Sequence, residues 1–212
     1  MRLDHVSYVA SHDQISDVVN RIGSQIGTAF VDGGIHPKFG TRNFTAPLLN
    51  GQYIEVVCPI EHPSTDSSPF GELVRKKVFS GGGWMSWTFS VSSLDLIENE
   101  LGRKANHGQR KKPNGDLIAW DQIGVLSSSV NPTFPYFIKW KSQEHPSEEG
   151  VAIARIKSIH LTGEKIVMQP WVRAIDSLTR DKIDAIWSMD NFNEPIIEKI
   201  SFTLGINEIE VC

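Results

Sequence analysis

The sequence predicts an α+β protein made of paired βαβββ modules and a truncated third βαββ segment. Two observations support this fold class: short β-prone segments alternate with helix-like periodicity, and the order strand, helix, strand, strand, strand occurs twice. With 212 residues, the chain is long enough for one large domain or for two small lobes that share a core. Its 40% hydrophobic and 22% charged residues are typical of a folded protein, which excludes a mostly disordered chain.

The first module is predicted to cover residues 1–58. Residues 3–9 alternate as a strand does, and the residues that follow have the spacing of an amphipathic helix. Three β-prone segments come next, and the Asn50-Gly51 pair between the last two predicts a hairpin, because both central positions of a type I′ turn need positive φ. The apolar helix positions are Ile15, Val18, Val19 and Ile22, and the three later strands are expected over 29–33, 44–49 and 53–57.

Residues 59–83 are predicted to connect the modules, and residues 84–142 are predicted to form the second module. The connection is a polar loop and then a helix that ends at three consecutive glycines. The helix of the second module is expected to begin with a capping box from Ser92 to Asp95. The strands of this module are expected over 84–91, 106–110, 117–126 and 136–141, and its apolar helix positions are Leu94, Ile97 and Leu101.

Residues 143–212 are predicted to form a polar hinge and a truncated half-module. The region from 180 to 195 has no clean periodicity, so the sequence predicts neither its structure nor its role. The expected elements are a hinge over 143–150, a strand over 152–162, a helix face formed by Trp171, Ile175 and Leu178, and a closing hairpin over 199–211.

The two modules align with nearly constant offsets. Aligning their first strands sets His5 opposite Trp87, an offset of 82 residues, and aligning their last strands sets Glu55 opposite Lys139, an offset of 84. Two similar offsets at opposite ends of a unit are hard to obtain by chance. The sequence therefore predicts a duplication in which these four residues occupy related positions.

Charge and cysteine content narrow the classes of partner. The net charge of −4 gives no positive field for gripping phosphate backbones, so nucleic acid is not expected as a partner. No apolar run approaches the roughly 20 residues that span a bilayer, and the start lacks the apolar stretch of a signal peptide. A cytoplasmic location without membrane contact is therefore expected, with Cys58 and Cys212 as reduced thiols.

Four segments of the sequence resemble the glyoxalase-like branch of the vicinal oxygen chelate superfamily. This resemblance covers residues 2–162 and is specific for a fold rather than for a reaction. It implies two modules whose curled sheets enclose a cup-shaped pocket, where enzymes of the superfamily hold a divalent metal with ligands from the first and last strands. The segments are Leu-Asp-His-Val at 3–6, His-Pro-Lys-Phe-Gly-Thr-Arg-Asn at 36–43, Tyr-Ile-Glu at 53–55 and Pro-Tyr-Phe-Ile-Lys-Trp at 135–140.

Carried over to this sequence, the metal-ligand positions are His5, Glu55, Trp87 and Lys139. Only His5 and Glu55 can bind a metal, because an indole only donates hydrogen bonds and an ammonium has no lone pair. A divalent metal is then either weakly bound or absent. In the alternative, Lys139 lies opposite Glu55 and supplies the positive charge from within the protein.

The same resemblance indicates catalytic and ligand-binding residues. His5 and Glu55 are the catalytic candidates, because a carboxylate in a core strand is costly to bury unless it is paired or coordinating. Trp87 and Trp120 are expected to line the cup, with His36 and Asn43 at its mouth. The open alternatives are a hydrogen-bonded structural histidine at position 5, a structural loop histidine at 36 and a solvated lysine at 139.

The leading functional hypothesis is a glyoxalase-like enzyme acting on a small molecule with vicinal oxygens, such as a hydroxy-ketone, an enol or a catechol-like ring. Its reaction would be of the lyase, isomerase or dioxygenase type. The alternative is a protein of the bleomycin-resistance type that binds a small molecule without turnover, and a structural module with a filled cup is a third hypothesis. The chain is expected to be a monomer or a homodimer.

Overall fold

Eight strands form a closed barrel in the computed structural model, which describes residues 1–164, 171–188 and 194–212. The strands are β1 Arg2–Val9, β2 Val31–His36, β3 Thr41–Leu48, β4 Gln52–Pro59, β5 Gly83–Ser90, β6 Asn106–Lys111, β7 Leu117–Ile123 and β8 Tyr136–Trp140. Their order around the barrel is β1-β4-β3-β2-β6-β7-β8-β5. Each half thus places its first strand beside its fourth, and the predicted fold class of paired βαβββ modules with a curled mixed sheet is confirmed.

Five helices connect the barrel strands: α1 Ile15–Ile26, α2 Pro63–Ser67, α3 Pro69–Phe79, α4 Asp95–Leu101 and α5 Val125–Ser128. The hairpin between β3 and β4 is confirmed, since Asn50 and Gly51 have φ values of 66° and 68°. The predicted capping box of α4 is wrong, because Ser93 rather than Ser92 accepts the hydrogen bond from the Asp95 amide, at 3.2 Å. The strand expected to reach residue 126 ends at Ile123, where α5 begins after a glycine.

The first strands of the two modules are related by an offset of 83 residues. In the parallel pair β1–β4, His5 lies opposite Tyr53, and in the parallel pair β5–β8, Thr88 lies opposite Tyr136. Thr88 therefore takes the place in the second module that His5 takes in the first. The predicted offset of 82, which related His5 to Trp87, is wrong by one residue.

The last strands of the two modules, β4 and β8, are related by the same offset of 83 residues. Glu55 lies opposite Ser7, and Ile138 lies opposite Ser90, so Ile138 rather than Lys139 is the counterpart of Glu55. Neighbouring side chains in a strand point to opposite faces of the sheet, so an error of one residue moves a side chain from the inside of the barrel to the outside.

A second sheet with the order β10-β9-β11-β12 follows the barrel. The predicted strand, helix and closing hairpin are present, and β10 is one strand more than expected in the region without periodicity; residues 189–193 of that region lie outside the described residues. The sheet packs on the barrel, where the Trp84 indole donates to the Val211 carbonyl at 2.8 Å. The elements are β9 Ala154–Thr162, α6 Val172–Arg180, β10 Asp184–Ser188, β11 Ile197–Leu204 and β12 Asn207–Val211.

The helices of the described ranges are all too short or too polar to cross a membrane. Cys58 is buried and Cys212 is exposed, and both are free thiols. The division of the chain at residues 59, 84 and 143 stays a prediction.

Candidate functional site

The interior of the barrel holds a narrow cavity with an empty volume of about 470 Å³, including its mouth. Strands of both modules contribute to its walls. Aromatic rings cover much of the surface, and polar groups converge between them, which is the usual make-up of a small-molecule site. The polar lining includes His5, Ser7, His36, Asn43, Glu55, Thr88 and Arg110, and the aromatic lining includes Tyr53, Trp120, Tyr136 and Trp140.

Glu55 is a buried carboxylate held by two donors on the cavity wall. The Asn43 amide donates to Oε1 at 2.7 Å, and the Ser7 hydroxyl donates to Oε2 at 2.8 Å. Burial alone would raise the pKa of Glu55, but the nearby imidazoles of His36 and His5 and these two hydrogen bonds lower the pKa below its usual value. Glu55 is therefore ionised at neutral pH.

His5 lies on the same wall as Glu55, on the adjacent strand, and is hydrogen-bonded to Asp4, its neighbour in sequence. Its Nδ1 lies 3.0 Å from Asp4 Oδ2, and its ring stacks on Tyr53 with centroids 4.4 Å apart. An ionised carboxylate only accepts, so Nδ1 carries the proton and donates it. Within the described residues, Nε2 has no hydrogen-bond partner, and it is the nitrogen that can accept a proton from a group in the cavity.

Asp4 touches His5 because β1 is irregular at this point. The pairing of β1 with β5 shifts register between Leu3 and His5, which is the mark of a β-bulge, so the two neighbouring side chains meet. The Asp4 carboxylate is fully buried and also accepts from the Trp140 indole at 3.2 Å and lies 3.1 Å from His145 Nε2. Burial alone would raise the pKa of Asp4, but His145 and His5 lower it far below its usual value.

His36 forms another part of the wall and is uncharged at neutral pH. Burial lowers its pKa to about 4, and the positive charge of Arg110 acts in the same direction. Its Nδ1 lies 2.8 Å from Thr41 Oγ1, and its ring meets Trp120 edge to face at 5.6 Å. Because His36 is neutral, the donors Asn43 and Ser7 are the groups that stabilise the Glu55 charge at neutral pH.

Five of the residues that the sequence indicated lie together at the cavity: His5, His36, Asn43, Glu55 and Trp120. Trp87 does not. It is completely buried on the other face of β5, where it packs on Phe89 and donates to the Thr133 carbonyl at 2.8 Å. Lys139 also misses the cavity, because it lies on the face of β8 opposite to Ile138 and Trp140. The register error of one residue explains both misplacements.

A family model described as "Glyoxalase-like domain" matches residues 3–175 of the chain. The chain belongs to this family. The resemblance of its sequence to the vicinal oxygen chelate superfamily is thereby confirmed. A comparison with curated proteins finds no significant relative of this glyoxalase-like protein.

Solved structures share the fold of the glyoxalase-like chain at low sequence identity. A hypothetical protein from Staphylococcus aureus is 16% identical, with a TM-score of 0.59 over 99% of this chain and 84% of the other. A methylmalonyl-CoA epimerase from Mycobacterium tuberculosis is 16% identical, with a TM-score of 0.44 over 65% of this chain and 87% of the other. The first likeness supports the fold alone, and the second is too low to support any conclusion.

The residues present do not fit the superfamily's metal site. At the four related positions the glyoxalase-like chain has His5, Glu55, Thr88 and Ile138, of which the isoleucine has no donor atom and a hydroxyl is a weak ligand. Over the described ranges, no group of three or more His, Cys, Asp or Glu side chains is arranged to hold a metal. The predicted role of His5 and Glu55 as metal ligands stays a prediction.

Several residues of the cavity were not indicated by the sequence, among them Ser7, Thr88 and Arg110. Arg110 is 1% exposed, which is unusual for a charged side chain next to a turn. Its alternation with Gly108 along β6 was the available signal. Asp4 was not indicated either, because alternation sets neighbouring strand residues on opposite faces and the bulge that brings Asp4 to His5 has no sequence signature.

Proposed function

We propose that the chain is an enzyme that moves a proton on a small molecule with adjacent oxygens, as an isomerase or a lyase does. The observation that best supports this is the pair His5 and Glu55, two groups able to accept protons, on adjacent strands in the wall of one cavity. Structural residues of a barrel interior would be apolar or fully paired. His5 instead has one ring nitrogen held and the other open to the cavity.

In this proposal His5 is the general base. The anionic Asp4 holds Nδ1–H, which fixes the tautomer, orients the ring and stabilises the imidazolium that forms when Nε2 takes a proton. The Glu55 carboxylate adds a second negative charge close to that imidazolium. Negative charge that develops on a substrate oxygen would be met by the Thr88 hydroxyl, a buried group without a partner in the described part of the chain.

Proton abstraction can be measured without knowing the natural substrate. Hydroxyacetone, dihydroxyacetone, glycolate and lactate are incubated with the protein in D₂O, and loss of the carbon-bound proton next to the oxygens is followed by NMR. We expect exchange above the buffer rate for at least one compound. His5→Gln should lower that rate about 10²- to 10⁴-fold, the usual contribution of a general base.

His107→Gln is the matched control, because this histidine is exposed and pairs with Asp121 outside the cavity. It should exchange at the wild-type rate. The proposal would be contradicted by exchange that is equal in the wild type and His5→Gln, or by no exchange with any compound that binds.

A binding protein without turnover is the second candidate function, and the aromatic lining favours it. Trp120 and Trp140 pack against each other on the cavity wall, with ring centroids 5.7 Å apart, and offer a ligand an extended aromatic surface. Quenching of tryptophan fluorescence by a compound that is recovered unchanged, with no isotope exchange, would favour this function over catalysis.

A further inference from the structure

Arg110 is a buried cation on the cavity wall that the proposed chemistry leaves unused. It is contributed by β6 of the second module, reaches the first module, and is 1% exposed. The guanidinium Nη1 donates to the Gly33 carbonyl. Buried arginines are rare unless their charge is paired, because removing a guanidinium from water is costly.

The pairing of Arg110 within the described residues is incomplete. Its Nη2 is buried and has no hydrogen-bond partner there, and the nearest carboxylate oxygen, Glu149 Oε1, lies 4.0 Å away. That same oxygen is 2.9 Å from Lys112 Nζ, so Glu149 is shared between two cations. Arg110 therefore retains positive charge and at least one free N–H group.

The backbone opposite Arg110 leaves room for the guanidinium. Gly33 has no side chain, and a Cβ at this position would collide with Arg110 Nη1 and with Asn43 Oδ1. Any larger residue at 33 would push both side chains out of place. The close approach of Gly33 thus fixes Arg110 beside the donor that holds Glu55.

We propose that Arg110 binds the carboxylate of the substrate, so that the cavity accepts small 2-hydroxy or 2-oxo acids rather than neutral ketones. This inference rests on the proposed function, because it names the substrate class of the same site. A carboxylate is planar and accepts two parallel hydrogen bonds from a guanidinium. The oxygen on the neighbouring carbon of such an acid gives the two adjacent oxygens of the proposed substrate.

The position of Arg110 supports this assignment. The cation lies on β6, in the second module, whereas His5 and Glu55 lie on β1 and β4 in the first. Its guanidinium nevertheless reaches the first module beside Asn43, so a short acid anchored at Arg110 would present its second carbon toward Glu55 and His5. The narrow cavity favours short acids.

Calorimetric titration of acids against their amides tests this inference. Glycolate, lactate and pyruvate are compared with glycolamide, lactamide and pyruvamide, which have nearly the same shape without the charge. We expect at least one acid to bind about 10- to 100-fold more tightly than its amide, because hydrogen bonds to a charged group usually contribute that much to affinity. Equal affinities, or no binding by any acid, would overturn the inference.

Arg110→Met should remove the preference for the acid, and Arg110→Lys should retain part of it, since a lysine keeps the charge but not the paired donors. Arg75→Met is the matched control, because Arg75 pairs with Asp66 on the surface. It should bind as the wild type does. The acid–amide comparison on the wild type decides the question even if the Arg110 variants do not fold.

The outcome also separates this inference from the proposed function. Acids that bind tightly without isotope exchange would support the anion site and contradict the enzyme. Exchange on neutral ketones with no preference for acids would support the enzyme and contradict the anion site.

Discussion

Trp87→Ala is expected to lower the free energy of unfolding by about 3–5 kcal/mol, as measured by urea denaturation. Trp87 has no exposed surface and packs on Phe89, and its indole N–H donates a hydrogen bond to the Thr133 carbonyl. Truncation would leave a cavity in the packed layer outside the barrel and an unpaired carbonyl. The affinity of the barrel cavity for a small molecule should not change.

Trp120→Ala is the matched comparison. Trp120 borders the barrel cavity, so part of its surface faces open space rather than packed side chains. Its removal should cost less stability than removal of Trp87 and should change ligand affinity. The register derived for the two modules would be contradicted if Trp87→Ala cost less than Trp120→Ala or altered ligand binding.

Asp4→Asn is expected to destabilise the protein by about 3–5 kcal/mol at neutral pH, because the exchange removes the charge of a fully buried carboxylate and turns one of its acceptor oxygens into a donor that faces the donors of its partners. These partners are His5, His145 and Arg2, the last at 3.2 Å. Urea unfolding measures the effect. Asp66→Asn, which breaks an exposed pair with Arg75, is the control and should cost at most about 1 kcal/mol.

The difference between wild type and Asp4→Asn should depend on pH. The folded pKa of Asp4 is lower than its unfolded value, near 3.8, so the ionised carboxylate contributes its full stabilisation above that value. The contribution is lost as pH falls through the folded pKa. The two proteins should therefore converge below pH 3.8, and a difference that stayed constant on acidification would contradict the role of the Asp4 charge.

The strands and helices that bury one face could be predicted from the sequence, because burial of one face leaves a period of two or of about 3.6. The hairpin at Asn50 was equally clear, since a type I′ turn demands residues that tolerate positive φ. Strand β10 was missed because its alternate residues are exposed or half-buried, which leaves little contrast between polar and apolar positions. Short strands of this kind are identified only by their pairing.

The cavity could be predicted only in part. The resemblance to the glyoxalase-like branch indicated His5 and Glu55, since their two strands are buried almost throughout and alternation alone does not identify the inner faces. The predicted positions of Trp87 and Lys139 depend on the alignment of one module with the other. A shift of one residue in that alignment moves a side chain to the opposite face of its strand. Arg110 and Gly33 meet across 77 residues of sequence, and no local pattern reports such a contact.

Whether His5 and Glu55 share one cavity can be measured by long-range ¹H–¹⁵N NMR spectra of the histidine rings in the wild type and in Glu55→Gln. Histidine-to-glutamine variants assign the signals. We expect the wild-type His5 ring to carry its proton on Nδ1, and we expect Glu55→Gln to shift the ring nitrogens of His5 while leaving those of exposed His107 unchanged. A His5 signal that is the same in both proteins would show that the two side chains do not share the cavity.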